Sequence, residues 1–209
     1  MAFWNPWRGC RRVSEGCRYC FIHEGDKKRA VDTSKIEKSA QFDAPIKKTK
    51  NGYKMKGGQK VYVCFSSDFL IEEADAWRGE CWQMIKERSD LQFIFLTKRI
   101  ERFLSVVPED WGDGYENVTI GVSVENQARA DQRLALLQEL PIKHKNIICQ
   151  PLIEEVTIQK YLDDIELVMV GGEYHREARP LAYEWVLKLR EEAVMGGFPS
   201  SFVNAGRIL

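Results

Sequence analysis

The chain has 209 residues, of which 44% are hydrophobic and 30% charged, enough to bury one sizeable core, and a single domain over 1–209 is expected. Lysine plus arginine equals aspartate plus glutamate at 31 each, which excludes a strong whole-chain attraction to nucleic acid or anionic lipid. No apolar run reaches the roughly eighteen residues a membrane span needs, and MAFWNPWRGC has neither a basic n-region nor an apolar h-region; the expectation is a cytoplasmic protein with no membrane partner.

The N-terminal segment 4–23 carries three of the six cysteines and is taken up below. A lysine-rich stretch follows at about 45–60, with KKTKNGYKMKGGQK spanning 47–60; it reads as a flexible, solvated insertion, with a phosphate-contacting arm as the sharper alternative. Strand and helix patterns then alternate. VYVCF (61–65) precedes an amphipathic helix over 72–88 carrying Ala74, Trp77, Cys81, Met84 and Ile85 at helical spacing. LQFIFLT (91–97) precedes a short helix over 99–106, and NVTIGVSV (117–124) precedes a helix over 127–140 that Pro141 ends. KNIICQ (145–150) and ELVMVGG (166–172) are further strands, followed by a helix over 181–194 and a last strand SSFVN (200–204).

Near-continuous apolar strands alternating with helices predict a mostly parallel sheet of six to seven strands. Polar residues recur where strands end: Ser66, Ser67 and Asp68; Lys98 and Arg99; Glu125 and Asn126; Gln150; Glu173; Asn204. In (β/α) barrels those ends build the working face, so the pattern predicts a partial (β/α) barrel with these side chains around one mouth.

Cys10, Cys17 and Cys20 are spaced C-x6-C-x2-C, while Cys64, Cys81 and Cys149 are scattered through strand and helix patterns. That distribution favours a metal site plus buried thiols in a reducing compartment over a disulfide framework. Two readings of the metal stand. Three thiolates on an iron–sulfur cubane leave one iron open to a ligand; alternatively His23, three residues beyond Cys20, completes a Cys3His zinc site.

The segments WNPWRGC…SEGCRYC, VYVCFSSDF, FIFLTKR, NVTIGVSVENQ…ADQR and VGGEYHREARPLAYEWVLKLR resemble, in order and over most of the chain, the phage-associated three-cysteine family, which is radical S-adenosylmethionine-like and largely uncharacterised. The resemblance implies a partial barrel with a [4Fe–4S] cluster on Cys10, Cys17 and Cys20, S-adenosyl-L-methionine at the open iron, and an enzyme that generates a 5′-deoxyadenosyl radical to act on an unknown substrate. It also implies an electron donor as partner and a bacterial or phage-encoded origin. The loop is three residues longer than the commonest radical-enzyme spacing, C-x3-C-x2-C, and the chain ends in SSFVNAGRIL where the family is rich in aromatic and polar groups.

In that context Gly171, Gly172 and Glu173 are candidates for seating the cofactor: the glycines permit close backbone approach, and Glu173 can accept from an ammonium group. Asp68, Lys98, Arg99 and Glu125 are the catalytic candidates, each just past a strand, with Arg99 the better partner for a carboxylate or phosphate. Arg176 and Arg179 either assist near Glu173 or line a loop; His175 reads as a loop histidine, and Trp4 and Trp7 as packing around the cysteine loop. A nucleic-acid component is the substrate class toward which the basic insertion leans. The competing function is a non-catalytic zinc or iron–sulfur module recognising nucleic acid or a protein partner.

Overall fold

A computed structural model describes residues 2–197. Six strands form one sheet: β1 (Ala2–Trp4), β2 (Lys60–Val63), β3 (Gln92–Thr97), β4 (Val118–Ser123), β5 (His144–Cys149) and β6 (Ile165–Val170). Every neighbouring pair is parallel, and spatial order follows chain order from β1 to β6. β1 and β6 are the two edges, so the sheet is not a closed barrel among the described residues; the expected strand at 200–204 lies outside them.

Helices bridge successive strands. α1 (Phe21–Lys28) lies between β1 and β2, α2 (Asp75–Glu87) between β2 and β3, the one-turn α3 (Phe103–Val106) between β3 and β4, and α4 (Gln127–Glu139) between β4 and β5; α5 (Tyr183–Met195) follows β6. Alternation along the strands sends Trp4, Val61, Val63, Phe93, Phe95 and Ile120 into a core shared with Cys81, Ile85 and Leu134 of the helices. β6 is irregular between Ile165 and Leu167, where its register against β5 shifts.

Trp4 belongs to β1, which the sequence pattern did not suggest. Its ring meets Phe93 edge-on at 5.8 Å and its indole N–H donates to the Phe42 carbonyl at 3.0 Å, so it packs the core. Trp7 stacks on Phe69 at 5.2 Å and donates to the Asp68 carbonyl at 3.3 Å, beneath the strand ends.

The lysine-rich insertion is a small antiparallel hairpin, Lys48–Thr49 with Gly52–Tyr53. It is fastened to the end of α2: the fully buried Arg88 donates to the Pro45 and Met55 carbonyls and lies 4.1 Å from the Tyr53 ring, while the Tyr53 hydroxyl donates to Glu87 at 2.6 Å. The Gly58 N–H donates to the Asp90 carbonyl at 2.7 Å, just ahead of β2 and β3. The hairpin therefore sits at the N-terminal ends of the strands, the end of the sheet opposite their polar termini. No helix among the described residues is long and apolar enough to cross a membrane.

Candidate functional site

Because all six strands are parallel, their C-terminal ends share one side, and a cavity of about 240 Å³ opens there. Cys10, Cys17, Cys20, Asp68, Lys98, Arg99, Gly172 and Glu173 all line it. The cysteine loop and the strand ends thus meet on one side of the sheet. Gly171, Glu125 and His23 do not line the cavity: Gly171 remains in the ladder, donating to the Cys149 carbonyl at 3.0 Å, and His23 lies in the first turn of α1 near Arg12. His175, expected as a plain loop residue, stacks flat on Tyr19 at 4.7 Å and joins the cysteine loop to the segment after β6.

Local chemistry shapes the thiol loop. Gly9 holds φ +88, and a Cβ there would lie 2.4 Å from the Lys35 carbonyl oxygen, so only glycine lets the two backbones pass. The Cys10 N–H donates to the Thr33 carbonyl at 2.8 Å, and Ser67 Oγ donates to the Gly9 carbonyl. A single 3₁₀ turn, Glu15–Cys17, reverses the chain, and Cys20 occupies the cap position of α1. Burial pushes the Cys10 thiol up to about 11; Asp68 adds to the effect and Arg99 opposes it. Cys64 and Cys149 are buried, with thiols raised chiefly by desolvation.

Three buried carboxylates stand past alternate strands, Asp68 after β2, Glu125 after β4 and Glu173 after β6, and each is matched by an arginine. Asp68 is saturated. Its Oδ1 accepts from Leu70 N (2.9 Å) and Thr97 Oγ1 (2.8 Å), its Oδ2 from Lys98 N (3.1 Å) and Arg99 Nη1 (3.0 Å). The other guanidinium nitrogen of Arg99 donates to the Arg11 carbonyl at 2.8 Å. Glu173 is held in the same manner: Arg179 donates through its backbone N–H (2.8 Å), Nε (3.0 Å) and Nη2, and Nη2 also reaches the Glu15 carbonyl at 2.9 Å. Two arginines therefore clamp the thiol loop from opposite sides, each anchored by a buried carboxylate.

Glu125 lies under the loop. It is fully buried, its Oε2 accepts from Arg133 at 2.8 Å, and its Oε1 has no hydrogen-bond partner among the described residues. Gly16 packs closely over it: a Cβ there would fall 3.2 Å from Glu125 carbons, so the side chain would have to give by a few tenths of an ångström. Arg133 was not legible as a site residue; its only signal is a position on the inner face of α4 beside Leu134 and Leu137. Lys98 differs from the others: it lines the cavity, and its ammonium makes no ion pair with any described residue.

Among the described residues, no group of three or more His, Cys, Asp or Glu side chains is gathered tightly enough to hold a metal ion. The class these features define is an α/β protein with a six-stranded parallel sheet, flanked by helices, whose strand ends open on a thiol-lined cavity. The chain belongs to DUF5131, a protein family of unknown function, whose model matches residues 1–208. No curated protein and no solved structure matches it significantly.

Proposed function

We propose that the protein is an iron–sulfur enzyme of the radical S-adenosylmethionine type, built on a partial (β/α) barrel, with Cys10, Cys17 and Cys20 as cluster ligands. The observation that carries this reading is that these three thiols of one loop line one cavity at the C-terminal ends of a sequentially ordered parallel sheet, where the one other thiol on the wall, Cys64, is buried and held neutral by desolvation. The resemblance to the phage-associated three-cysteine family supports it. So does the donor set: soft thiolates suit iron–sulfur centres, and three of them leave a coordination position open. A single zinc ion would draw its sulfurs to about 2.3 Å from one point. No such tight group stands among the described residues and His23 is not on the cavity wall; the preference for a cluster rests on the open position that three thiolates leave.

Bound together, cluster and S-adenosyl-L-methionine supply one-electron cleavage of a carbon–sulfur bond and hence hydrogen-atom abstraction, with an external electron donor. The chain's own residues have three tasks around that chemistry. Arg99 and Arg179 hold the ligand loop by its carbonyls. Gly172 lets a ligand approach the backbone, and Lys98 offers an unpaired cation to a carboxylate. Phe21, Phe65 and Val13 give the cavity wall an apolar side.

One observation favours a second reading, a non-catalytic cluster-binding or zinc-binding module. Both oxygens of Glu173 are engaged by Arg179, so the carboxylate assigned to an ammonium group is already occupied. Anaerobic reconstitution with iron and sulfide separates the two. About four irons per chain, a paramagnetic-resonance signal lost in Cys17→Ala and a change of that signal on adding S-adenosyl-L-methionine support the enzyme. A cysteine-dependent cluster indifferent to S-adenosyl-L-methionine, or stoichiometric zinc, leaves the binding module.

A further inference from the structure

We propose that the rim of the thiol-lined mouth binds a segment of single-stranded nucleic acid, phosphates on α1 and the loop after β6, bases on the exposed rings beside the cavity. The inference deepens the proposed function, on which it rests for the identity of the cavity, by assigning the substrate's class.

Three hollows join around the same rim. A cleft of about 680 Å³ is walled by Arg12, Arg18, Lys27 and Arg176; a second, of about 1120 Å³, shares Lys27 and Arg176 with it and adds Lys28. The second also shares Phe21, Glu173 and Tyr174 with the thiol cavity, so one groove leads from the basic walls to the cysteines.

Its charge is one-sided where it counts. In a chain of zero net charge most arginines are paired, yet Arg18, Lys27 and Lys28 form no ion pair with any described residue, and Arg176 meets only its neighbour Glu177, at 3.6 Å. Of the acids on these walls, Glu15 is held by Arg129, Glu173 by Arg179 and Glu177 lies beside Arg176, while Glu24 faces His175 at 3.6 Å, so the walls carry an excess of cations over acids.

The second component is aromatic. Tyr174 is 87% exposed, Phe21 54% and Phe65 43%, all on the cavity wall. Phe21 meets Phe65 at 5.7 Å, Phe65 meets Phe3 at 5.1 Å, and Phe3 meets Tyr62 at 5.8 Å, making a ladder of rings from the edge of the sheet to the mouth. Exposed rings beside unpaired cations suit bases that stack and phosphates that follow, and require a strand whose bases are unpaired. A duplex keeps its bases stacked inside and cannot use the rings. The lysine hairpin at the opposite end of the sheet takes no part.

The test is fluorescence anisotropy with a fluorescein-labelled oligothymidylate, on both metal-free and reconstituted full-length protein. If four cations each neutralise one phosphate, log affinity falls against log salt with a slope near −3, since each single-strand phosphate contributes about 0.7. Arg18→Ala and Arg176→Ala should each flatten that slope by about 0.7, and Phe65→Ala should weaken binding about ten-fold without changing it. A slope unmoved by both arginine substitutions overturns the proposal. So does equal affinity for a duplex, or competition by thymidine monophosphate as effective as by the strand, which would indicate a free-nucleotide site. Binding is read without S-adenosylmethionine chemistry, so strand binding by a protein that never cleaves the cofactor would sink the enzyme reading alone, and cleavage without strand binding would sink this one alone.

Discussion

Arg99 and Asp68 form a buried ion pair at 3.0 Å, and through the second nitrogen of the same guanidinium that pair reaches the backbone of the cysteine loop. The loop's position is thus coupled to two strand ends, β2 through Asp68 and β3 through Arg99. Removing the arginine leaves a carboxylate at 4% exposure with one fewer donor and frees the Arg11 carbonyl.

Arg99→Ala should destabilise the protein by about 3–5 kcal/mol, the usual effect of breaking a buried pair from one side. At this size that corresponds to a fall in Tm on the order of 10 °C. Differential scanning calorimetry checks it; an unchanged Tm would show that the pair does not anchor the loop. Arg99→Lys should fall between, because lysine keeps the charge but cannot span Asp68 and Arg11 together.

The two glycines flanking Cys10 and Cys17 predict unequal penalties. Gly9→Ala forces a left-handed residue against the Lys35 carbonyl, backbone on backbone, and should cost at least about 2 kcal/mol. Gly16→Ala meets side-chain carbons of Glu125 at 3.2–3.3 Å, which can give by a few tenths of an ångström, and should cost about 1 kcal/mol. Urea denaturation of both variants tests the order; Gly16→Ala proving the worse would contradict the packing described.

Thiol titration of metal-free protein should divide the six cysteines into two sets of three. Cys64, Cys81 and Cys149 are buried and their thiols are raised by desolvation, which favours the neutral form and withholds the reactive thiolate. Near pH 8, only Cys10, Cys17 and Cys20 should react, and of these Cys10 the most slowly, because burial raises its thiol as well. Raised to about 11, the Cys10 thiol should gain reactivity with each step in pH up to that value. Six fast thiols in native buffer would mean that the sheet opens far more readily than its packing implies.

Replacing Lys48–Tyr53 with a short glycine–serine turn should lower Tm modestly, by loss of the Tyr53 contacts to Glu87 and Arg88, and leave iron content and oligonucleotide binding unaltered. A weakened salt dependence of binding in that variant would relocate the nucleic-acid surface to the hairpin.

Much of this arrangement was legible in the residues. Long-period alternation of apolar strands with helices gives five of the six strands to within two residues, and polar residues ending them mark the mouth. β1 was not legible, because three residues are too few to show a period of two and the pair Trp4 and Trp7 looks like loop shielding. Nor was the fate of the charged candidates. Asp68 and Glu173 were readable as strand-end acids, yet their saturation by Arg99 and Arg179 depends on tertiary approach, and only Lys98 keeps a free charge among the four catalytic candidates. The lysine run at 47–60 was readable as an insertion, but its fastening to the end of α2 through Arg88 and Tyr53 was not, because charge alone says nothing about which end of the sheet it occupies.

β1 and its partner β2 are joined by a long stretch of chain. Ala2–Trp4 pairs only with β2, so it has no neighbour until the whole of 5–59 has left the ribosome, and the cysteines lie inside the chain loop that this pairing closes. Closing so long a loop carries an entropic penalty that grows only slowly with length, but it must be met before Gly9 and Trp7 find their partners. A ligand gripping Cys10, Cys17 and Cys20 would shorten that loop from within, so maturation of the site and attachment of the sheet's edge strand amount to one cooperative event.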